Sequence, residues 1–312
     1  HAFERVVKYF ALACGSETFY STQRTIMNDF IEQNPSIMAS VPRLWEKIYS
    51  GVKKKVKDQG GLKKIVFNFG IKVLAKSSKV KNNIHPVRIA GSVLHRILEK
   101  KVFRELRSKL GNKFRFGVSG GSKLSAHIDD FFNIAGIELL EGYGLTETSP
   151  VISVRKPGSK ALYTVGPLLE GVEGKIIDTG TGNVLPKGKE GVLYVKGTNV
   201  MKGYYRNHEE TRMVLGSDGW LNTGDTGYFD EKDSLVITGR EKDVVVLSNG
   251  EYVNPVPLEV ALERSEYIST AVVIGHDWKY LGALIVPNFE NLLCYCRKLG
   301  IHCSENNIFK VI

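Results

Sequence analysis

Between Gly51 and Arg115 the chain carries 14 lysines and 5 arginines against 3 acids, Asp58, Glu99 and Glu105, a net +16 in 65 residues. Cations at that density cannot be buried together, so the segment must face solvent or an acidic partner. Apolar residues recur within it at helical spacing: Ile65, Phe69 and Val73 beside Lys72, then Val93 and Ile97 beside Lys100 and Lys101. This spacing predicts helices with a core-facing apolar stripe and a basic outer face. The 312-residue chain as a whole has a formal charge of only +10, which leaves the remainder at −6. The excess of positive charge therefore belongs to this one segment.

On either side the pattern differs. Ala2 to Cys14 reads as a helix, Glu17 to Ser21 as a strand, Ile37 to Val41 as a strand stopped by Pro42, and Leu44 to Tyr49 as a helix. After the basic segment come a strand over Phe114 to Ser119, a Gly120-Gly121 turn, a helix over Ser125 to Ala135 and a strand over Glu138 to Glu141. From Val151 to Val236 short β patterns are separated by Gly and Pro: Gly171 to Asp178, Gly191 to Lys196 and Ser234 to Thr238. A charged junction, Gly239 to Asp243, leads to strand Val244 to Leu247, turn Ser248-Asn249-Gly250, extended Tyr252 to Asn254, helix Pro257 to Arg264, and strands Thr270 to Gly275 and Leu281 to Val286.

The expected fold class is α/β: part of a large N-terminal domain with α/β layers and a β-rich subdomain over 1–239, with 51–115 as a basic helical insertion. Part of a small α+β C-terminal domain follows over 240–312. No apolar run is long enough to span a bilayer as a helix, the longest being around Ile65 to Ala75 and Ala271 to Gly275. His1 already stands inside a helical pattern and Asn306 to Ile312 closes no element, so the chain reads as a piece of a longer one. Cys294, Cys296, His302 and Cys303 are close in sequence, but C-x-C followed by H-C is not a recurrent zinc spacing; these three cysteines and Cys14 read as reduced thiols.

Four short runs carry chemistry. Val118-Ser119-Gly120-Gly121-Ser122 ends a strand in two glycines before a helix, where backbone N–H groups favour oxygen-rich ligands; the alternative is a plain tight turn. Gly142-Tyr143-Gly144-Leu145-Thr146-Glu147-Thr148 sets an aromatic between glycines ahead of a hydroxyl and a carboxylate, suited to a base, a phosphate and Mg²⁺; the alternative packs Tyr143 inward. Gly224-Asp225-Thr226-Gly227 offers a carboxylate able to accept both hydroxyls of a ribose, or an Asx turn. Arg240, in Thr238 to Asp243, is within reach of a ribose or phosphate, or belongs to a charged linker.

In this order the four runs resemble the adenylate-forming (AMP-binding) enzyme superfamily, and the resemblance covers essentially the whole chain. It is strongest to the long-chain fatty acyl-CoA synthetase and fatty acyl-acyl-carrier-protein synthetase group. The finer resemblance rests on His1 to Arg5, Ser40-Val41-Pro42-Arg43, Tyr49-Ser50-Gly51, Gly142 to Val151, Val200 to Tyr205, Val246 to Glu251 and Leu281 to Asn288. The resemblance implies ATP-dependent activation of a long-chain fatty acid to an acyl-adenylate, then transfer to a phosphopantetheine thiol of coenzyme A or acyl carrier protein. It implies that Gly120, Gly121 and Ser122 line the adenine and acyl-adenylate pocket and that Gly142 borders the acyl chain. Tyr143, beside Gly144, would stack on adenine, Thr146 would bind the α-phosphate and Glu147 would hold Mg²⁺. Asp225 and Arg240 would take the ribose, Lys242 would lie at a hinge, Gly250 would line the thiol tunnel and His1 would stand near the acyl carboxylate. A cytoplasmic or plastid stromal setting is implied.

Two family features do not appear: the Ser/Thr/Gly-rich phosphate loop and a far C-terminal lysine. The expectation is that this polypeptide alone does not adenylate. A non-catalytic nucleotide- or acyl-binding module is the alternative. A basic nucleic-acid-binding protein is the less favoured alternative, because the aromatics of the basic segment, Phe67, Phe69, Phe103, Phe114 and Phe116, fall at apolar helix or strand positions and are not interleaved for stacking. The basic segment instead suits an acidic carrier protein or peripheral contact with a membrane.

Overall fold

The computed structural model describes residues 2–22, 24–58, 60–77, 86–159 and 161–301. They form a mixed α/β protein of two compact units, residues 1–223 with 228–237 and residues 224–227 with 238–312. His1, His302, Cys303 and 306–312 lie outside the described residues.

The first unit opens with helix α1 (Ala2–Ala13) and helix α2 (Ile26–Gln33). Glu17 to Ser21, expected as a strand, forms none; its Phe19 and Tyr20 are exposed and have no neighbouring strand to complete a ladder. Strand β1 (Ile37–Ser40) follows, then α3 (Pro42–Asp58). Pro42 both ends the strand and starts this helix, because its fixed φ and missing N–H suit the first helical turn. The basic segment continues through α4 (Gly61–Ser77), α5 (Pro86–Leu98), a π-helical turn over Glu99–Phe103 and α6 (Arg104–Leu110).

The expected core-facing stripe of these helices is corrected. Ile65 and Phe69 are 67% and 60% exposed, and Val93 and Ile97 are 56% and 43% exposed. The buried side is the opposite one, with Phe67 and Leu74 on α4 and Leu98 on α5. Gly70 lets the two helices touch, since a Cβ there would come within 2.9 Å of Leu98. Apolar residues occupy both faces of α4, and spacing alone could not tell which face the core would take.

Strand β2 (Phe116–Ser119), helix α7 (Ala126–Ile134), strand β3 (Glu138–Gly144) and strand β4 (Val151–Val154) complete the first sheet. Its order is β1-β2-β3-β4, parallel across β1, β2 and β3 and antiparallel between β3 and β4. Register aligns Ser40 with Ser119 and Ser119 with Glu141, so β1 and β2 finish level and β3 runs on past them to Gly144. The core beneath is aromatic: Trp45 meets Phe132 edge-on at 5.4 Å, and Phe131 is ringed by Tyr49, Phe67, Phe103 and Phe132. Gly117 is required by this packing, because a Cβ would fall 2.3 Å from the Trp45 ring.

A buried ionic cluster joins the sheet to α7. Arg155, just past β4, forms a two-pronged pair with Asp129 at 2.8 and 2.7 Å and reaches Glu141 at 2.9 Å. Its Nε donates to the Thr164 carbonyl at 2.6 Å. The second oxygen of Glu141 accepts the Leu124 N–H at 2.8 Å, tying β3 to the turn after Gly120-Gly121. Two carboxylates share one guanidinium here, and burial pushes the Glu141 carboxyl up to about 7.

The β-rich part comprises β5 (Val172–Ile177), β6 (Gly191–Gly197), helix α8 (His208–Val214), β7 (Leu221–Phe229) and β8 (Leu235–Arg240), with sheet order β5-β6-β7-β8. Ile152, Val165, Ile176, Leu193, Val195, Leu221 and Leu235 form its core. In the second unit, β9 (Val245–Val246) pairs with β10 (Tyr252–Val253). Helix α9 (Val256–Glu263) packs on the hairpin of β11 (Ile268–Ile274) and β12 (Gly282–Pro287), and α10 (Phe289–Lys298) follows. Glu259 and Glu263 of α9 accept the N–H groups of Val273 and Ala271. No described helix is long and apolar enough to cross a membrane.

Two outcomes follow from this packing. Gly117→Ala should cost about 1–3 kcal/mol by overpacking, read as a lowered denaturant midpoint. Glu141 has a folded pKa raised from 4.5 to about 7, so it holds a proton in the folded chain that the unfolded chain releases. Its contribution is complete below the unfolded value and is lost as pH rises through the folded one. Stability should therefore fall across that window by on the order of 1–3 kcal/mol, and Glu141→Gln should flatten the profile in thermal unfolding at stepped pH.

Candidate active site

The residues singled out from the sequence fall into two groups, one in each unit. In the first unit, Gly120, Gly121 and Ser122 leave the C-terminal end of β2, and Gly142, Tyr143 and Gly144 form the end of β3. The crevice outside the carboxyl ends of parallel strands is where open α/β sheets bind ligands. Gly121 has φ +87°, a conformation that favours glycine, and a Cβ on Gly120 would come within 2.9 Å of the Phe3 ring. Ser119, at the strand end below them, is fully buried, and its hydroxyl has no hydrogen-bond partner among the described residues.

Strand β3 runs farther than the sequence suggested, through Gly144, because Gly142, Tyr143 and Gly144 pair with Val154, Ser153 and Val151 of β4. Tyr143 is half-buried and packs against the β-rich core, so the inward-packed alternative holds in part. A Cβ at Gly144 would lie 1.8 Å from the Pro150 carbonyl oxygen, so the chain itself demands glycine. At Gly142 a Cβ would meet only ordinary contacts near 3.7 Å.

Thr146, Glu147 and Thr148 form one turn of 3₁₀ helix. The Thr148 hydroxyl donates to the Pro150 carbonyl at 2.6 Å and accepts the Leu145 N–H at 3.0 Å, which closes the loop on itself. A second segment clamps it from outside. Asn199 Nδ2 donates to the carbonyls of Thr148 and Val151, Met201 N–H donates to the Glu147 carbonyl at 2.8 Å, and the Tyr204 hydroxyl donates to Glu147 Oε1 at 2.9 Å. Burial and the neighbouring carboxylate both push the Tyr204 phenol above its ordinary value, which keeps it a donor. Thr146 is exposed and Glu147 half-buried, and Glu147 Oε2 carries no hydrogen bond among the described residues. Sequence reasoning missed Asn199 and Tyr204 as site residues. The sequence signal for Tyr204 is the Val200 to Tyr205 run, which begins one residue after Asn199.

In the second unit Asp225 lies on strand β7, not in a turn, and is 5% exposed. Arg240 Nε donates to its Oδ1 at 3.1 Å, from a side chain that is itself largely exposed. Thr226 and Thr238 join their hydroxyls at 3.0 Å across the same strands. Lys242 is exposed in a 3₁₀ turn over Glu241–Asp243, and Gly250, with φ +82°, closes the turn between β9 and β10. His1 is outside the described residues.

Among the described residues no group of three or more His, Cys, Asp and Glu side chains could hold a metal ion. Mg²⁺ needs no such group, since it takes one or two carboxylates and completes its shell with substrate phosphates and water. Glu147, with Oε1 fixed and Oε2 unbonded beside an exposed threonine hydroxyl, fits that kind of site. Cys294 is exposed and Cys296 buried as free thiols.

Comparison with known proteins bears on this geometry. The AMP-binding enzyme family matches residues 1–205, and the AMP-binding enzyme C-terminal domain matches residues 242–293. Among curated relatives, probable acyl-activating enzyme 16, chloroplastic, of Arabidopsis thaliana is 38% identical over 93% of this chain and 45% of its own length. The long-chain-fatty-acid--[acyl-carrier-protein] ligase AEE15, chloroplastic, of the same plant is 37% identical over 93% of this chain and 44% of its own. The chain thus spans a little under half the length of these relatives. Among solved structures, the o-succinylbenzoate CoA synthetase MenE of Bacillus subtilis, in complex with its acyl-adenylate intermediate, superposes with a TM-score of 0.64. That match covers 98% of this chain and 53% of MenE at 19% identity, which speaks to the fold. With its Tyr143 to Glu147 loop at the ends of parallel strands and a family match over most of its length, the chain belongs to the AMP-binding enzyme family.

Proposed function

We propose that this chain forms part of an ATP-dependent fatty acid–thiol ligase, which converts a long-chain fatty acid to its acyl-adenylate and passes the acyl group to a phosphopantetheine thiol. The observation that carries the reading is the Thr146–Glu147 turn, held rigid at the carboxyl edge of the parallel sheet with one carboxylate oxygen fixed by Tyr204. The long-chain fatty acid ligase names of the relatives support the substrate class.

A carboxylate is a poor electrophile because its leaving group would be oxide. Attack of the fatty acid oxygen on the α-phosphorus of ATP expels pyrophosphate and gives a mixed anhydride, whose AMP leaves readily when the thiol sulfur attacks the acyl carbon. The first step needs positioning and charge neutralisation more than a base. In this reading Tyr143 supplies the face against adenine, and Gly120, Gly121 and Ser122 let the nucleotide approach the backbone, with the Ser119 hydroxyl available beneath. Thr146 donates to the α-phosphate and Gly142 leaves room for the acyl chain. Bound Mg²⁺ would neutralise phosphate charge, and Glu147 is the residue that would hold it. Asp225 accepts the ribose hydroxyls with Arg240 beside it, Lys242 serves as the hinge between half-reactions and Gly250 lines the path of the thiol.

The acceptor is coenzyme A or an acyl carrier protein, and the lysines of α3, Lys53, Lys54, Lys55 and Lys57, are where an acidic carrier would dock. The chloroplastic names of two relatives favour a plastid setting.

The test is fatty-acid-dependent ATP–pyrophosphate exchange and thioester formation by the full-length protein, with coenzyme A and with holo carrier protein. Nucleotide binding without exchange would instead support a non-catalytic module. Charge reversal at the four α3 lysines should lower transfer to the carrier and leave transfer to coenzyme A unchanged. Tyr204→Phe keeps the ring and removes the bond to Glu147, so the Mn²⁺ concentration that half-saturates the ATP complex, followed by electron paramagnetic resonance, should rise about tenfold. Glu147→Gln should raise it further, while the thermal midpoint of Tyr204→Phe stays near the parent.

A further inference from the structure

The outward faces of α4 and α5 are not ordinary solvated helix faces. On α4, Ile65, Phe69 and Lys72 recur at i, i+4 and i+7, which places them on one side, opposite the buried Phe67 and Leu74. On α5 and the turn after it, Val93, Arg96, Ile97 and Lys100 recur at i, i+3, i+4 and i+7, opposite the buried Leu98. His95, on the inner side, bonds the Ile134 carbonyl at 3.1 Å and fixes α5 against the end of α7. Two adjacent helices, in contact through Gly70 and Leu98, thus each present an exposed apolar pair flanked by cations.

The charge around these pairs is one-sided. Glu99 is paired with Arg107, and Glu105 with Lys55 and Lys109, so both acids of this region after α4 are already engaged. Lys72, Arg96 and Lys100 form no ion pair among the described residues. Leaving a phenylalanine and three aliphatic side chains in water costs stability unless something covers them. The cover must be apolar at short depth and negative at its surface.

We propose that the outer face of the α4–α5 pair docks on an anionic lipid bilayer, with Ile65, Phe69, Val93 and Ile97 entering the headgroup–acyl boundary and Lys72, Arg96 and Lys100 at the level of the phosphates. Long basic side chains reach outward while their stems lie along apolar surface, which suits this depth. An acidic folded protein would call for cations set against fixed carboxylates; alternating apolar pairs with cations on helices lying side by side match a lipid interface better. The inference concerns a surface and does not depend on the catalytic reading, since it would hold if the nucleotide site were inert.

The experiment is co-sedimentation of the full-length protein with vesicles of phosphatidylcholine alone and of phosphatidylcholine containing about 30% phosphatidylglycerol, at near-physiological salt. Anionic vesicles should pull down the protein and neutral ones should not. Lys72→Glu with Arg96→Glu should weaken the partition about fivefold for each cation lost. Ile65→Ser with Phe69→Ser should weaken it by a similar factor with an unchanged circular dichroism spectrum. Equal partition onto both vesicles, no partition at all, or loss in the charge variant with none in the apolar variant would overturn the proposal, the last being the pattern of a surface for an acidic protein. Should the serine variant misfold, Phe69→Trp keeps an aromatic there: its emission should shift to the blue on anionic vesicles and be quenched by brominated acyl chains, and an unshifted, unquenched emission would overturn the proposal equally.

Discussion

Removing Arg155 from water is a large electrostatic demand, and the frame of the candidate site depends on how that demand is met. The guanidinium is buried with two carboxylates and two backbone carbonyls as acceptors, from α7, from Leu139 and Glu141 of β3 and from the segment after β4. A buried pair of this kind adds little net stability compared with an apolar core, but losing one partner leaves an uncompensated charge at a cost of about 3–5 kcal/mol. Its effect is on geometry. Asp129, which also accepts the Tyr163 N–H, fixes α7 to the sheet, and Glu141 takes the Leu124 N–H, which fixes the turn after Gly120-Gly121 to the strand that carries Tyr143. Two loops of the candidate site that are distant in sequence share one buried carboxylate as their common anchor.

The second constraint is crowding around Gly144. With the Pro150 carbonyl where a Cβ would stand, the chain can turn back from β3 into β4 only through glycine, and the three residues of the 3₁₀ turn have to fit into the space that remains. Thr148 satisfies the inside of that turn, and Asn199, Met201 and Tyr204 satisfy the outside. Few of the loop's own polar groups are left over, apart from the Thr146 hydroxyl and one oxygen of Glu147. A loop with so little freedom positions those two groups before any ligand arrives, and such preorganisation is what a charged transition state rewards.

Much of this was legible in the sequence because glycine spacing reports backbone requirements directly. The double glycine at Gly120-Gly121, the Gly142 to Thr148 run and the mixed α/β class all follow from local patterns. What was not legible depends on contacts distant in sequence. Arg155 looks like any charged residue after a strand, and its partners lie 14 and 26 positions away. For Asp225 the flanking glycines left an open carboxylate and an Asx turn as alternatives; pairing of β7 within its sheet overrides the turn and buries the carboxylate. Glu17 to Ser21 has the composition of a strand and lacks a neighbour to pair with. Tyr204 was visible only as part of a family resemblance, since nothing local links a phenol to a carboxylate 57 residues earlier.

The basic segment shows the limit of periodicity most clearly. Its helices carry apolar residues on two sides, so the period of 3.6 is present twice and identifies helix without identifying the inner face. The core selects the side with Phe67, Leu74 and Leu98 because aromatic Phe103 and Phe131 stand there to receive it, with Phe67 and Phe131 rings 6.3 Å apart. The remaining apolar side is then left outward among cations that the few local acids do not neutralise. A surface with exposed Phe69 and Ile65 beside unpaired lysine and arginine is stable in water only at a cost, and a helix pair meant merely to be solvated would have no reason to bear it. Charge alone could serve any acidic partner; it is the apolar residues between the charges that narrow the partner to one with hydrocarbon just beneath its negative surface.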